Sequence, residues 1–155
     1  MEWILLVRFV NTLLQFFNCS FYYLIGVSKT GSGKTFAFGI PLILRYKGFE
    51  NTYDIQDEKK VGRPKVLILA PTRELAIQVS EAISFIASDS VSIYCVYGGT
   101  DRIQQIRDLR NINPVIIVAT PGRFKDFLDN KVFTTDGIEI LSKFFLIVSL
   151  NSFFT

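Results

Sequence analysis

Two runs of consecutive apolar residues, 66–70 and 115–119, are each closed by a proline: Pro71 follows the first directly, and Pro121 follows the second after Thr120. Short runs with no polar side chain between their members are typical of strands buried on both faces, as in a parallel sheet. Amphipathic stretches of helical length separate such runs, for example residues 73–87. This alternation predicts an α/β fold, with a parallel central sheet and helices on both of its faces.

Other segments extend the alternation along the chain. We expect the polar stretch 48–64 to be a surface loop, and Pro41 to kink or break the helix in which it lies. In the helix over 101–110, Ile103, Ile106 and Leu109 recur at helical spacing and predict the buried face. The full set of predicted elements is strands over 24–27, 66–70, 91–97, 115–119 and 144–148 and helices over 36–46, 73–87, 101–110 and 122–130.

Composition excludes several classes of catalyst. The 155 residues contain no histidine, so no Ser-His-Asp or Cys-His mechanism and no histidine-ligated zinc site is possible. Two cysteines, Cys19 and Cys95, are too few for a four-thiolate metal site. The net charge of +3 permits an anionic partner without requiring one.

A glycine-containing segment between the predicted strand 24–27 and the helix 36–46 has the chemistry of a phosphate-binding loop. Gly31 and Gly33 permit the tight backbone path that turns successive N–H groups toward an anion. Lys34 would reach the β- and γ-phosphates of a nucleotide, and the Thr35 hydroxyl would ligate Mg²⁺. A chance turn before a lysine is the alternative. The segment consists of Ser28, Lys29, Thr30, Gly31, Ser32, Gly33, Lys34 and Thr35, with serine in the first position, where the strict pattern has glycine.

Three further segments each follow a predicted strand at its carboxyl end, the edge where parallel sheets bind ligands. They are P-T-R-E-L-A over 71–76, the doublet Gly98–Gly99, and T-P-G-R over 120–123. With the phosphate loop, these four segments resemble in content and order the DEAD-box family of ATP-dependent RNA helicases, over residues 24–148. The stretches 34–39 and 95–99 are most similar to the branch of this family that acts in ribosome assembly. The resemblance implies a RecA-like three-layer domain, here incomplete, with ATP and Mg²⁺ as cofactors.

The resemblance also implies which residues would hold one strand of RNA by its sugar-phosphate backbone, without reading the bases. It makes ribonucleoprotein assembly partners and a nuclear, nucleolar or cytoplasmic location the expectation. Taken singly, the prolines are explained as strand ends and the two arginines as solvated helix starts. The implied RNA-binding residues are Pro71, Thr72, Arg73, Glu74, Gly98, Gly99, Thr120, Pro121, Gly122 and Arg123.

The chain departs from the family pattern on both sides of these motifs. Upstream, Asn11 stands where the family has a glutamine that recognises adenine. Downstream, the predicted strand 144–148 should run into Asp-Glu-Ala-Asp, but the chain continues Ser149, Leu150, Asn151, Ser152. Phosphoryl transfer depends on such charges, so Lys34 and Thr35 alone should not support hydrolysis, and the family's second RecA-like domain is also missing.

The two ends, 1–23 and 149–155, are rich in phenylalanine, poor in charge and similar to nothing in the family. We interpret them as translated non-coding sequence. Arg8, Asn11 and Gln15 interrupt the first of them too often for a membrane span.

Three functions are therefore weighed. The first is the ATP- and RNA-binding amino-terminal domain of a DEAD-box helicase, cut before its catalytic carboxylates. The second is a non-catalytic nucleotide- or RNA-binding module, or an inactive truncated product. The third is an unrelated phosphate-loop ATPase or transporter subunit, which has no reason to carry P-T-R-E-L-A and T-P-G-R.

Overall fold

Helices and parallel strands alternate along the chain in the computed structural model, which describes residues 33–47 and 63–143. The chain divides into two compact units, one of residues 1–49 with 81–91 and the other of residues 50–80 with 92–155. In chain order the elements are α1 (Lys34–Tyr46), β1 (Val66–Leu69), α2 (Arg73–Ala87), β2 (Ile93–Val96), α3 (Arg102–Ile112), β3 (Ile116–Ala119), α4 (Pro121–Asp129) and β4 (Ile140–Lys143).

The four strands form one sheet in the order β2-β3-β1-β4, and every neighbouring pair is parallel. In this register, Ala119 of β3 lies opposite Leu69 of β1 on one side and opposite Val96 of β2 on the other. Because the strands are parallel and in step, the segments that follow them leave the sheet at one edge. The predicted α/β class and parallel sheet are confirmed.

Both faces of the two middle strands are buried, which is why their sequences carry no polar residue. Side chains alternate between the faces of a strand, so Ile68 and Leu67 point in opposite directions, and both are buried. On the Leu67 face, Leu109 of α3 and Phe127 of α4 complete a core cluster that also contains Ile117. This cluster attaches α3 and α4 to the sheet.

Helix α1 continues through Pro41, so the predicted alternative of a break there is wrong. A proline inside a helix costs about 3 kcal/mol, because it removes one hydrogen bond and crowds the preceding turn. Leu42, Ile43 and Tyr46, which follow it, are all buried. At about 1.5–3 kcal/mol for each fully buried apolar side chain, this burial outweighs the proline.

Strand β4 was not predicted. Its sequence, Ile-Leu-Ser-Lys, is not a continuous apolar run, and Leu141 is 56% exposed. Backbone bonds position it: the Glu139 and Ile140 amides both donate to the Lys65 carbonyl, and the Lys65 ammonium lies 3.1 Å from the Glu139 carboxylate. The predicted strands 24–27 and 144–148, and most of the loop 48–64, lie outside the described residues.

No helix within residues 33–47 and 63–143 is long and apolar enough to cross a membrane.

Candidate nucleic-acid interface and nucleotide loop

Helix α1 begins at the residue that the phosphate-loop pattern requires. Gly33 is its N-cap, with φ 81° and ψ 17°, a left-handed conformation that glycine adopts without strain. The Ala37 amide donates to the Gly33 carbonyl at 2.9 Å. The first turn contains no acidic residue, so nothing there repels an anion at the positive end of the helix. Ser28–Ser32 and the Lys34 side chain lie outside the described part of the structure, and Thr35 is half-buried in this turn.

The P-T-R-E segment turns the chain from β1 into α2. Thr72 opens the helix, since its hydroxyl accepts a hydrogen bond from the Leu75 amide at 3.3 Å and its carbonyl accepts one from the Ala76 amide. Pro71 through Glu74 are exposed. Glu74 lies in the first turn, where its negative carboxylate interacts favourably with the positive end of the helix dipole.

Arg73 connects this segment to the glycine doublet. Its guanidinium lies 4.8 Å from the centroid of the Tyr97 ring, a cation–π arrangement. A Cβ added to Gly99 would stand 3.7 Å from Nη1 of Arg73. Gly99 has φ +82°, whereas a Cβ on Gly98 would meet nothing within 4 Å. The doublet therefore presents exposed backbone beside an arginine.

The T-P-G-R segment begins α4 at the same edge. The Thr120 amide donates to the Val96 carbonyl of β2, and the Thr120 carbonyl accepts from the Phe124 amide. Thr120 is the N-cap but its hydroxyl makes no capping bond, and Pro121 follows at the start of the helix. Gly122 is exposed with open space around its Cα. This helix start also displays backbone N–H groups.

Arg123 is not a solvated helix start, so that interpretation of it is wrong. Its side chain is only 11% exposed. Nη1 donates to Oε1 of Gln105 at 2.7 Å, and Nη2 donates to the Thr100 carbonyl at 3.1 Å. The guanidinium also lies 5.4 Å from the centroid of the Phe127 ring. The arginine is thus directed into the domain, and it joins α4 to the loop that follows the doublet.

The predicted buried face of α3 is also partly wrong. Ile103 is 58% exposed, and Gln105 is buried beside Leu109. A polar residue one helical turn before a buried leucine was the available signal, but periodicity of apolar residues alone assigns the face to the isoleucines. Sequence reasoning assigned no role to Thr100, Gln105 or Asp126, although Asp126 accepts from Nε of Arg102 at 2.9 Å.

Burial, followed by the hydrogen bond to Asp108, raises the pKa of the Tyr94 hydroxyl well above its usual value. Tyr94 therefore stays a neutral donor to the Asp108 carboxylate, at 2.9 Å. In the described ranges, no group of three Cys, Asp or Glu side chains could hold a metal ion. The arrangement is suited to binding an extended anion through backbone amides, threonines and Arg73.

The known proteins that this chain is similar to are helicases. The family model for the DEAD/DEAH box helicase matches residues 11–148. An ATP-dependent RNA helicase, DBP3, of Coccidioides immitis (strain RS) is 39% identical over 119 residues, which are 76% of this chain and 22% of that protein. Nucleolar RNA helicase 2 of Rattus norvegicus is 48% identical over 107 residues, 69% of this chain and 13% of the relative.

Solved structures agree with the fold. The crystal structure of a DEAD box protein from the hyperthermophile Methanococcus jannaschii is similar with a TM-score of 0.69 and 28% identity, over 88% of this chain and 33% of that one. The RNA-helicase Prp28 from Chaetomium thermophilum, bound to ADP, is similar with a TM-score of 0.63 and 34% identity, over 76% of this chain and 27% of that one. The chain thus spans a third or less of the length of these proteins.

Proposed function

From the premise that this chain belongs to the DEAD/DEAH box helicase family, we propose that it binds ATP and the sugar-phosphate backbone of single-stranded RNA through an amino-terminal RecA-like domain over residues 24–148. The observation that carries the proposal is the placement of three sequence segments at one edge of a parallel sheet. P-T-R-E follows β1, the glycine doublet follows β2, and T-P-G-R follows β3.

The nucleotide would be held by Ser28–Thr35. The left-handed Gly33 directly before α1 and the absence of acids in the first helical turn support this assignment. Lys34 would contact the β- and γ-phosphates, and the Thr35 hydroxyl would hold Mg²⁺ that arrives with the nucleotide. Prp28, a structural relative, is described as bound to ADP, which is consistent with a nucleotide site in this fold.

RNA would be held by exposed backbone more than by base contacts. The amides of Gly98, Gly99 and Gly122 can donate to phosphate oxygens. Pro71 and Pro121 would shape the two turns. Glu74 would repel phosphate, so its carboxylate is suited only to accept a bond from a ribose 2′-hydroxyl.

We further propose that the 155-residue chain binds without turnover. Ser149 and Leu150 stand where the family carries acidic residues that hold Mg²⁺ and position water, and neither can supply negative charge. Longer relatives are named ATP-dependent RNA helicases and Nucleolar RNA helicase 2. A full-length protein of this kind would unwind RNA with ATP, in the nucleus, nucleolus or cytoplasm, within ribonucleoprotein assemblies.

The test is binding of a fluorescent ATP analogue and of a labelled single-stranded RNA by the purified chain. Lys34→Ala should weaken binding of the analogue at least about tenfold, because its ammonium would contact the β- and γ-phosphates. Lys47→Ala, at an exposed lysine just after the same helix, is the matched control and should bind as the wild type does.

RNA affinity should fall as salt rises, with a slope of log K against log salt of roughly −0.7 for each phosphate contacted. Binding that ignores salt, or no binding at all, would contradict the RNA assignment. RNA-stimulated ATP hydrolysis that Lys34→Ala abolishes would contradict the proposed absence of turnover. It would agree with the proposal that the chain binds ATP.

A further inference from the structure

Gln105 stands apart from the other polar residues of the described ranges, because its side chain is buried, with 6% of the residue exposed. All of its hydrogen-bonding groups are used. Nε2 donates to Oγ1 of Thr100 at 2.8 Å and to the Tyr97 carbonyl at 3.3 Å. Oε1 accepts from Nη1 of Arg123 at 2.7 Å. A guanidinium can only donate, so the amide oxygen must face Arg123, and the orientation of the amide follows.

The partners of Gln105 flank one of the segments proposed to hold RNA and belong to another. Tyr97 directly precedes the glycine doublet and Thr100 directly follows it, so Gln105 ties both ends of that two-residue turn. Arg123 belongs to T-P-G-R and also donates to the Thr100 carbonyl at 3.1 Å. Thr100 closes the turn further, because its hydroxyl donates to the Tyr97 carbonyl at 3.2 Å.

We propose that Gln105 is a positioning residue for RNA binding, which holds the glycine doublet and the start of α4 in a fixed relation. The inference rests on the proposed RNA-binding function. Two loops held in one arrangement before RNA arrives lose less conformational entropy on binding than two loops that order separately. Arg123 then serves this arrangement through its two hydrogen bonds, to Gln105 and to the Thr100 carbonyl, and the phosphates are contacted by the backbone that it secures.

The position of Gln105 distinguishes this role from simple stabilisation of the core. If Gln105 served only to stabilise the core, its amide could be satisfied by any nearby hydrogen-bond donor and acceptor. Here every partner lies within a few residues of Gly98–Gly99 or in T-P-G-R, and Gln105 is buried while the doublet itself is exposed. Removing the amide should therefore change how RNA is bound more than it changes the rest of the domain.

The experiment compares Gln105→Met with Gln104→Met in the full 155-residue chain. Methionine matches the length of glutamine but provides none of its three hydrogen bonds. Gln104 is the control because it is the adjacent residue on the same helix, is exposed, and donates from its side chain only to Asp108, at 2.8 Å. Three readouts are taken well below the unfolding temperatures: affinity for a labelled oligouridylate, the salt slope of that affinity, and affinity for a fluorescent ATP analogue.

Gln105→Met should weaken oligouridylate binding roughly tenfold, the scale expected when buried hydrogen-bonding groups lose their partner. The salt slope should become shallower by roughly 0.7 for each phosphate that the variant no longer binds. The ATP analogue should bind as before, and Gln104→Met should match the wild type in all three readouts.

Gln105→Glu is the second variant, for the case in which Gln105→Met does not fold. The carboxylate keeps an acceptor for Arg123 but cannot donate to the Tyr97 carbonyl or to Thr100, so the two bonds from position 105 to the residues that flank the doublet are lost. Its RNA affinity should also fall, with ATP-analogue binding retained. RNA affinity and salt slope equal to the wild type in either folded variant would overturn the inference, as would equal losses of RNA and ATP binding. Failure of the wild type and Gln104→Met to bind RNA would instead overturn the proposed function.

Discussion

The guanidinium of Arg73 lies over the ring of Tyr97, 4.8 Å from its centroid, and this contact joins the segment after β1 to the segment after β2. An exposed cation–π contact contributes about 0.5–1 kcal/mol. Tyr97→Leu should therefore release Arg73 and weaken single-stranded RNA binding about two- to fivefold, measured by fluorescence anisotropy. The reason is that an arginine held in place loses less side-chain entropy when it meets a phosphate.

Tyr97→Phe keeps the ring and removes only the hydroxyl. It should bind RNA as tightly as the wild type does. A loss as large in Tyr97→Phe as in Tyr97→Leu would assign the effect to the hydroxyl and would contradict the cation–π explanation.

The two glycines of the doublet should respond differently to a methyl group. Gly99 has φ +82°, where any other residue is strained by about 1–2 kcal/mol, whereas Gly98 has open space around its Cα. Gly99→Ala should lower the free energy of unfolding by about that amount, and Gly98→Ala should leave it nearly unchanged. Urea unfolding followed by circular dichroism measures both, and equal stability of the two variants would show that the loop relaxes to relieve the strain.

Asp101 caps α3 and thereby supports the helix that carries Gln105. Its carboxylate accepts from the Ile103 amide at 2.8 Å and from the Gln104 amide at 3.3 Å. Asp101→Ala should cost about 1 kcal/mol, because two amides at the helix start lose their acceptor. Thermal unfolding should then shift downward by about 4 °C. Asp101→Asn retains a capping oxygen and should lie near the wild type; an equal shift in Asn and Ala variants would point to charge rather than capping.

Phe127 is the buried side chain through which α4 packs against the core cluster. It is fully buried and meets Phe133 edge to face, with ring centroids 6.4 Å apart. Phe127→Ala should destabilise the protein by about 3–5 kcal/mol, because burial is lost and a cavity is left behind. Phe85→Ala removes an identical side chain that is 80% exposed and should change the free energy of unfolding by less than about 0.5 kcal/mol. Chemical denaturation of both variants makes the comparison, and similar losses would contradict the assigned packing.

Much of the fold was predictable because burial leaves a direct trace in composition. The runs 66–70 and 115–119 lack polar residues because both faces of β1 and β3 are covered. Strand β4 left no such trace. Its position depends on the Glu139 and Ile140 amides bonding to Lys65, and backbone bonds of this kind are independent of side-chain identity.

The candidate site divides in the same way. The glycines, prolines and threonines were visible as motifs, because tight turns and helix starts restrict which residues fit. The network around Arg123 was not visible. Its partner Gln105 is 18 residues away along the chain, and its charge suggested a solvated position.

The amino-acid sequence by itself determined the parallel α/β architecture, the order of the segments that end its strands, and the family that those segments indicate. These are local properties: apolar continuity, a proline that ends a strand, a glycine before a helix. Only the tertiary structure decided that Arg123 is directed inward, that Ile103 is exposed while Gln105 is buried, and that Arg73 lies on Tyr97. Each depends on which groups the register of β1, β2 and β3 brings within hydrogen-bonding or van der Waals distance, and no short stretch of sequence specifies that distance.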